Sequence, residues 1–434
     1  MMKLSNTKLI LILFLFVTIV YLLDFYILDV SNEQFWCVEV IKNFELGNFK
    51  NIRLPIHCDE GPYRFASSSL DNFFDKSNPY QGRPLFVAIV GLFRFLIELF
   101  PFSFSEYQNF KLSMFSLQYL VLFAIVKTFI TLTNLDFNKK IDYLILFSLI
   151  SIPSIRWNIF LSSVGNIPFL IFLLSLKFLN DKDSVKNKNN VFFIFGLFSL
   201  VHLSSIIYGL IILVISTFRN KNINFVELLQ KILYLTIFQI CYRLFVYLSD
   251  FTFYDWHKEV HNQFYWILDE FNNISPRHEC QTFTTFLRCN FDITLSFVGY
   301  FIFLLIIFTS LFLFSKVHNL KIPKTVQNAF YLNLFVFIFW SFQGVYEPFR
   351  FVNYSIGYFL FFSVLIFNFV FKKDIYLAMS LIFFSYSIFY LEPYNSSLNS
   401  PQINFLTIVS LSLFVYFIFR HTRNNDKLYD FNSL

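Results

Sequence analysis

The chain has 434 residues, of which 56% are hydrophobic and 14% are charged, and its mean hydropathy is +0.58. A soluble domain is usually about a quarter charged, so this composition excludes an ordinary soluble protein and predicts a polytopic membrane protein. The formal net charge is +6, but the basic residues lie in short loops and near the ends. This distribution indicates membrane orientation and not a nucleic-acid partner, because no basic stripe with interleaved aromatic residues lies outside the apolar segments.

The first hydrophobic run extends from Leu9 to Leu28 and follows Lys3 and Lys8. It is too long for a signal-peptide core and no small-residue cleavage site follows it, so we expect a retained signal anchor. A spanning helix needs about 20 apolar residues. We predict an all-α bundle of about 10–13 membrane segments in one domain over residues 1–434. The simple spans are expected at roughly 8–28, 112–133, 141–157, 159–179, 229–249, 293–315, 328–342, 352–371, 375–391 and 403–419.

Two further apolar segments do not read as simple spans. Segment 191–217 has lysines before it and Arg219 and Lys221 after it, so both of its ends should face the cytoplasm. We expect a hairpin of two short helices broken near His202, with the freed backbone satisfied by protein or by a wet cavity. Segment 85–100 is short and carries charges, and we expect it to dip into the membrane without crossing.

These two segments decide the topology. If neither crosses, both termini are cytoplasmic and the polar loops 29–83 and 250–292 lie outside. If both cross, the parity also balances, but Lys139, Lys140 and the 181–190 loop move outside. We prefer the first topology because it keeps the basic loops inside, and we expect the membrane to be the bacterial inner (plasma) membrane.

The outer loop after the first hydrophobic segment is the predicted catalytic loop, because charged residues are concentrated there. Apolar positions across residues 32–47 fit a short amphipathic helix on the outer surface. Such a helix would hold Asp29 and Glu33 at the lipid–water boundary, where partial desolvation makes a carboxylate more basic and suits it to take a proton from a hydroxyl. Asp59 and Glu60 are a second candidate pair. The alternative for all four is the solvated rim of an acidic loop.

Candidate substrate-binding residues are Arg64, Arg83, His202, Glu347 and Arg350. A guanidinium at headgroup depth can hold a phosphate with two hydrogen bonds, although Arg83 also fits plain interfacial snorkelling. Glu347 and Arg350 lie in a short outer turn and are candidates because ionisable residues at membrane depth are often functional, although an ion pair between the two would also explain them. A satisfied core histidine is the alternative for His202.

Four cysteines occur as two pairs in the two outer loops, Cys37 with Cys58 and Cys280 with Cys289. This arrangement fits disulfides in an oxidising compartment, and free thiols remain the alternative. The spacing of the second pair is not a zinc spacing. The sequence also lacks a phosphate-cradling glycine loop and the G-x-S-x-G and H-E-x-x-H motifs.

The layout resembles the GT-C superfamily of integral-membrane glycosyltransferases, which use polyprenyl-phosphate sugars. Asn32-Glu33-Gln34-Phe35-Trp36 stands where such families have an Asp-Glu-x-x-Tyr type of motif. Arg83-Pro84-Leu85-Phe86 is similar to the Arg-Pro-Leu-Tyr that opens their next helix. His202 stands in the broken hairpin where members often have a lysine. Because an asparagine replaces the first acid of the motif, Glu33, Asp29 and the pair Asp59-Glu60 stay open as the base.

The resemblance implies transfer of a sugar from a lipid-linked donor to a glycan, lipid or protein acceptor at the outer face of the bilayer. A carboxylate would activate the acceptor, while Arg83 or Arg350 would hold the leaving phosphate as negative charge develops on it. Some members use a divalent cation, Mg²⁺ or Mn²⁺, and this sequence leaves that requirement open.

Two other classes remain as alternatives. An O-antigen-type polysaccharide polymerase or ligase would use a late, arginine-rich outer loop, for which Arg277 and Arg288 in 250–292 are available. A non-enzymatic lipid or sugar permease would carry charged residues inside its spans, paired across helices.

Overall fold

The computed structural model describes a chain that is mostly helical. The described residues are 5–27, 38–46, 49–57, 60–75, 78–101, 104–135, 137, 139–162, 164–180, 188–219, 225–249, 251, 323–342 and the single positions 361, 364, 379 and 382. Among them, three helices are long and apolar enough to cross a membrane: Thr7–Ile27, Glu106–Thr133 and Phe225–Leu248. All three coincide with predicted spans, whereas four of the predicted spans (293–315, 352–371, 375–391 and 403–419) lie mostly or wholly outside the described residues.

The elements follow one another in a simple order. The helices are α1 (Asn6–Leu22, continued by a π-helical turn Leu23–Ile27), α2 (Glu60–Ala66), α3 (Leu70–Phe73), α4 (Pro84–Glu98), α5 (Glu106–Thr133), α6 (Lys140–Ile150), α7 (Pro153–Phe160), α8 (Asn166–Asn180), α9 (Lys188–Phe198), α10 (Ser204–Arg219), α11 (Phe225–Leu248) and α12 (Lys324–Phe342). Strands β1 (Val38–Leu46) and β2 (Phe49–His57) precede α2, and a 3₁₀ turn, Pro79–Gly82, precedes α4.

The chain divides into two compact units. Unit 1 comprises Met1–Trp36, Phe129–Arg156 and Asn262–Leu434, and unit 2 comprises Cys37–Thr128 and Trp157–His261.

In unit 1, the stretch of chain from α6 into α7 lies beside α1 and runs in the same direction. The rings of Phe16 and Phe147 are 5.0 Å apart. Further along both segments, Arg156 Nε lies 3.2 Å from Asp24 Oδ2. Since both contacts advance together along the two segments, the starts of α1 and α6 lie at the same end of the pair.

The single span predicted at 141–157 is wrong, because the chain forms two helices there. Helix α6 ends at Ile150, and the backbone N–H of Ser151 closes its last turn on the Phe147 carbonyl at 2.9 Å. Helix α7 begins at Pro153. Proline has no N–H to donate and disfavours helical geometry in the residue before it, so it starts a helix more readily than it continues one.

In unit 2, residues 38–57 form an antiparallel hairpin. Val38 pairs with His57 and Leu46 pairs with Phe49, which leaves a two-residue connection. The amphipathic helix predicted over 32–47 is therefore wrong from residue 38 onward, and the all-α prediction is corrected by these two strands. The β-branched residues at 38, 40 and 41 and the Gly47-Asn48 turn favour a hairpin.

The predicted break near His202 is confirmed. Helix α9 ends at Phe198 and α10 begins at Ser204, so 191–217 is two short helices. Helix α11 packs against α9, with the rings of Phe193 and Phe238 4.8 Å apart. Gln239 Nε2 donates to the Ser199 carbonyl at 2.8 Å, so α11 satisfies backbone freed at the break.

Helix α4 has 15 residues, or about 22 Å of length at 1.5 Å per residue, which is less than the ~30 Å core of a bilayer. Arg83, directly before α4, donates to the Tyr63 hydroxyl. Near its other end, Arg94 Nη1 donates to the Arg64 carbonyl at 2.8 Å. Both ends of α4 therefore contact the region of α2.

Candidate functional site

Helix α2 carries an acidic residue, a tyrosine and a basic residue within two turns. Glu60, Tyr63 and Arg64 stand at positions i, i+3 and i+4, which share one face of a helix. Glu60 and Tyr63 are buried, and Arg64 is half-buried. Glu60 also lies in the first turn, where the helix dipole favours negative charge. We call Glu60, Tyr63, Arg64, Arg83, Tyr107 and Lys111 the α2 cluster.

The centre of the α2 cluster is a buried ion pair. Lys111 Nζ lies 2.5 Å from Glu60 Oε2, and the two residues are 7% and 2% exposed. The ammonium also donates to the Pro55 carbonyl at 3.1 Å and to Ser162 Oγ at 3.3 Å. A lysine ammonium has three N–H donors, so these three acceptors satisfy all of them.

The second oxygen of Glu60 is less well satisfied than the first. Glu60 Oε1 is buried and makes no hydrogen bond of good geometry among the described residues, and the same holds for the Tyr107 hydroxyl. The two groups nevertheless interact electrostatically. The Tyr107 ring also has two cations near it, Arg64 at 5.6 Å and Lys111 at 5.9 Å from its centroid, both within cation–π range.

Arg83 joins the α2 cluster through Tyr63. Besides its bond to the Tyr63 hydroxyl, its guanidinium lies 5.5 Å from the centroid of the Tyr80 ring. Tyr63 and Tyr80 stack with centroids 3.9 Å apart. Buried Asn78 accepts a hydrogen bond from the Tyr80 backbone N–H at 2.9 Å and fixes the turn that carries Arg83. The guanidinium is thus held at the start of α4.

Three of the predicted site residues, Glu60, Arg64 and Arg83, are therefore brought together. His202 is placed differently, at the start of α10, where the Ser204 backbone N–H donates to its Nδ1 at 3.2 Å. The break next to it contacts α4, because the Leu85 N–H donates to the Leu200 carbonyl at 3.1 Å. A substrate role for His202 stays a prediction.

The remaining predicted residues lie outside the described residues, or their side chains do. This group comprises Asp29, Glu33, Asp59, Glu347, Arg350, Arg277, Arg288 and the four cysteines Cys37, Cys58, Cys280 and Cys289. Their roles, and the two disulfides, stay predictions.

Sequence reasoning missed Tyr107 and Lys111. Both lie at the start of α5, just before the span predicted at 112–133, and Lys111 is 51 residues from Glu60 in the chain. The available signal was a basic residue at the edge of a long apolar run, where ionisable groups are often functional. That signal does not identify the partner.

A second buried ion pair, in unit 1, was also missed. Asp24 and Arg156 are almost fully buried, and Arg156 Nη1 donates to the Ser151 carbonyl at 3.3 Å. The oxygens of Asp24 make no hydrogen bond of good geometry within the described part of the chain. Asp24 lies in the π-helical turn after α1, and such turns are frequent at functional sites.

Nowhere in the described ranges do three His, Cys, Asp or Glu side chains come together as metal ligands. The donor set of the α2 cluster, one carboxylate already paired with an ammonium, does not fit a divalent cation.

Comparison of the chain with family models, with characterised proteins and with solved structures found no match.

Proposed function

We propose that the chain is a multi-pass membrane glycosyltransferase that moves a sugar from a polyprenyl-phosphate donor to an acceptor at the outer face of the membrane. The observation that supports this proposal is the α2 cluster. It combines one carboxylate, Glu60, with three cations, Arg64, Arg83 and Lys111. A base and an excess of positive charge are what transfer from a lipid phosphate requires.

In the proposed reaction, Glu60 takes the proton from the acceptor hydroxyl. The acceptor oxygen forms a bond to C1 of the sugar while the bond from C1 to the phosphate oxygen breaks. The electron pair of that bond leaves with the polyprenyl phosphate, and the guanidiniums of Arg83 and Arg64 stabilise the negative charge that develops. The acceptor is a glycan, a lipid or a protein.

The directions of the helices support an outer location for the α2 cluster. The starts of α1 and α6 lie at the same end of their pair, so the N-terminus and Lys139 belong on one side. Helix α5 has 28 residues, about 42 Å of length. Lys111 lies near its start, and Lys139 follows its end. With basic loops inside, the N-terminus is cytoplasmic and the α2 cluster is outside. The C-terminus is cytoplasmic in the same proposal, and the bacterial inner membrane is the proposed location.

The proposal is tested with purified protein in liposomes that contain a panel of polyprenyl-phosphate sugars and candidate acceptors. Mass spectrometry measures the polyprenyl phosphate released. We expect release by the wild-type protein and by Gly91→Ala, and a loss of at least a hundredfold in Glu60→Gln, in line with typical effects of removing a general base. Release by folded Glu60→Gln at the wild-type rate would remove Glu60 from the reaction.

The buried pair of Asp24 and Arg156 favours a second candidate function. A permease for lipid-linked or free sugars would have charged residues paired across helices within its spans, and this pair joins the end of α1 to α7. Movement of a lipid-linked sugar across liposomes without covalent change, lost in Asp24→Asn, would place this function first.

A further inference from the structure

We propose that Lys111 acts as a substrate-operated lock on the catalytic base. Without donor, the ammonium holds Glu60. The phosphate of the lipid-linked donor competes for the same ammonium, and its binding frees the carboxylate to take a proton from the acceptor. This inference rests on the proposed function and adds an order of events to it, in which the donor binds before the base is active.

Glu60 cannot act as a base in the described arrangement. A base must reach the proton it removes, yet Glu60 is buried and its Oε2 is 2.5 Å from Lys111 Nζ. This charge-assisted hydrogen bond occupies the Oε2 oxygen of the carboxylate. The described arrangement is therefore closed, and an additional event must release the carboxylate.

Lys111 can exchange one partner without losing its position. The Pro55 carbonyl and Ser162 Oγ hold the ammonium from β2 and from the segment after α7. These two bonds persist when the third N–H turns from Glu60 to another anion. A phosphate oxygen is a suitable competitor, because lysine binds phosphate as a compact point charge.

The residues around the pair carry an excess of positive charge. Arg64 and Lys111 both lie within cation–π range of the Tyr107 ring. Arg83 donates a hydrogen bond to Tyr63 of α2. Glu60 is the one carboxylate of the α2 cluster, so the positive charge there is in excess. An incoming donor phosphate reduces that excess, and Glu60 then has a competitor for Lys111, because the phosphodiester carries one negative charge as the carboxylate does.

The experiment measures the affinity of detergent-solubilised protein for polyprenyl phosphate, using the increase in unfolding temperature as lipid is added. The variants are Glu60→Gln, Glu60→Asp, Lys111→Gln and the double variant Glu60→Gln/Lys111→Gln. The uncharged polyprenol and phosphatidylglycerol serve as the chain-only and ordinary-phospholipid probes.

We expect Glu60→Gln to bind polyprenyl phosphate on the order of tenfold more tightly than wild type, since a charged competitor for Lys111 is removed. The affinity of Glu60→Asp should lie between those of wild type and Glu60→Gln, because the shorter side chain of aspartate holds Lys111 less well. Lys111→Gln binds on the order of tenfold more weakly, and the double variant is no tighter than Lys111→Gln. Polyprenol binding is the same in all variants.

Equal or weaker phosphate binding by Glu60→Gln and Glu60→Asp would overturn the lock, because Lys111 would then not be shared. An equal gain in affinity for phosphatidylglycerol in the Glu60 variants would show that the site binds any lipid phosphate. Tighter phosphate binding by Glu60→Gln, together with no sugar transfer by the wild-type protein, would leave Lys111 shared between Glu60 and a lipid phosphate but refute the proposed function. Sugar transfer by the wild-type protein, without tighter binding by Glu60→Gln, would refute the lock and leave the proposed function standing.

Discussion

At the scale of single residues, the pair of Glu60 and Lys111 stabilises the fold only while both partners are present. Each charge is buried, and a buried charge without its partner is far more costly than the pair itself. We expect Glu60→Gln and Lys111→Met to lower the free energy of unfolding by about 3–5 kcal/mol each. Their combination should cost clearly less than the sum.

Equilibrium unfolding in detergent, followed by tryptophan fluorescence, measures this coupling. Glu106→Gln is the matched control, because its carboxylate is 66% exposed and lies 3.5 Å from Arg94. An exposed pair contributes about 0–1 kcal/mol, so the control should unfold almost as wild type does. Strictly additive losses in the double variant would show that Glu60 and Lys111 are not coupled.

The sequence was sufficient to identify three members of the α2 cluster but not the contacts that bring them together. Glu60, Arg64 and Arg83 stand out as charges in an otherwise apolar chain. Lys111 does not, because its role depends on a fold that brings Pro55, Glu60 and Ser162 around one ammonium. No local pattern encodes contacts over 51 residues.

At the scale of elements, the contacts between the hairpin and α5 include one buried ring and two hydrogen bonds, one of which is the bond from Lys111 to the Pro55 carbonyl. Phe44 is buried, and its ring centroid lies 5.8 Å from that of Tyr107. Gln108 Nε2 donates to the Glu45 carbonyl at 2.7 Å. Phe44 therefore supplies a buried apolar contact between the hairpin and α5.

We expect Phe44→Ala to release the hairpin from α5. Removing a buried phenylalanine costs about 3–5 kcal/mol, and the loss should appear as faster cleavage within residues 38–57 in limited proteolysis. Phe65→Ala is the control, since Phe65 is exposed. Cleavage of both variants at the same rate as wild type would show that the hairpin does not depend on this contact.

A second element-scale prediction concerns the packing of α9 on α11. A Cβ atom at Gly196 would overlap the backbone carbonyl oxygen of Tyr234, whereas a Cβ at Gly91 would meet the Ser67 carbonyl oxygen at an ordinary 3.5 Å. Backbone cannot move aside as a flexible side chain can. Gly196→Ala should therefore destabilise by about 1–3 kcal/mol.

Thermal unfolding of the two alanine variants tests this packing. Gly91→Ala should unfold at or slightly above the wild-type temperature, because alanine favours a helix by about 1 kcal/mol over glycine. If the unfolding temperature of Gly196→Ala were as high as that of Gly91→Ala, α9 and α11 would not approach as closely as described.

Element types were predictable where one signal dominated and not where two competed. The broken segment 191–217 was predicted from charges at both ends and is confirmed as α9 and α10. Residues 38–46 carry apolar positions that fit both helical and alternating patterns, whereas Gly47-Asn48, a dipeptide that favours a hairpin, lies outside that run.

At the scale of the whole molecule, the proposed topology predicts which side of the membrane each exposed position faces. In a cysteine-free background, single cysteines at the exposed positions Ser5 and Lys139 should react with a membrane-impermeant maleimide only from the cytoplasmic side. Cysteines at exposed Lys50 and Ser68 should react only from the outer side. Labelling of the Lys139 site from the same side as Lys50 would instead favour the topology in which 85–100 and 191–217 both cross.

The most direct test of the central claim, that the α2 cluster holds a lipid-linked phosphate, is native mass spectrometry of gently extracted protein. We predict that wild type and Gly91→Ala retain polyprenyl phosphate or its sugar conjugate, and that the folded double variant Arg83→Ala/Lys111→Gln does not. Folded wild-type protein that carries only ordinary phospholipids, or a double variant that retains as much polyprenyl phosphate as wild type, would contradict the account.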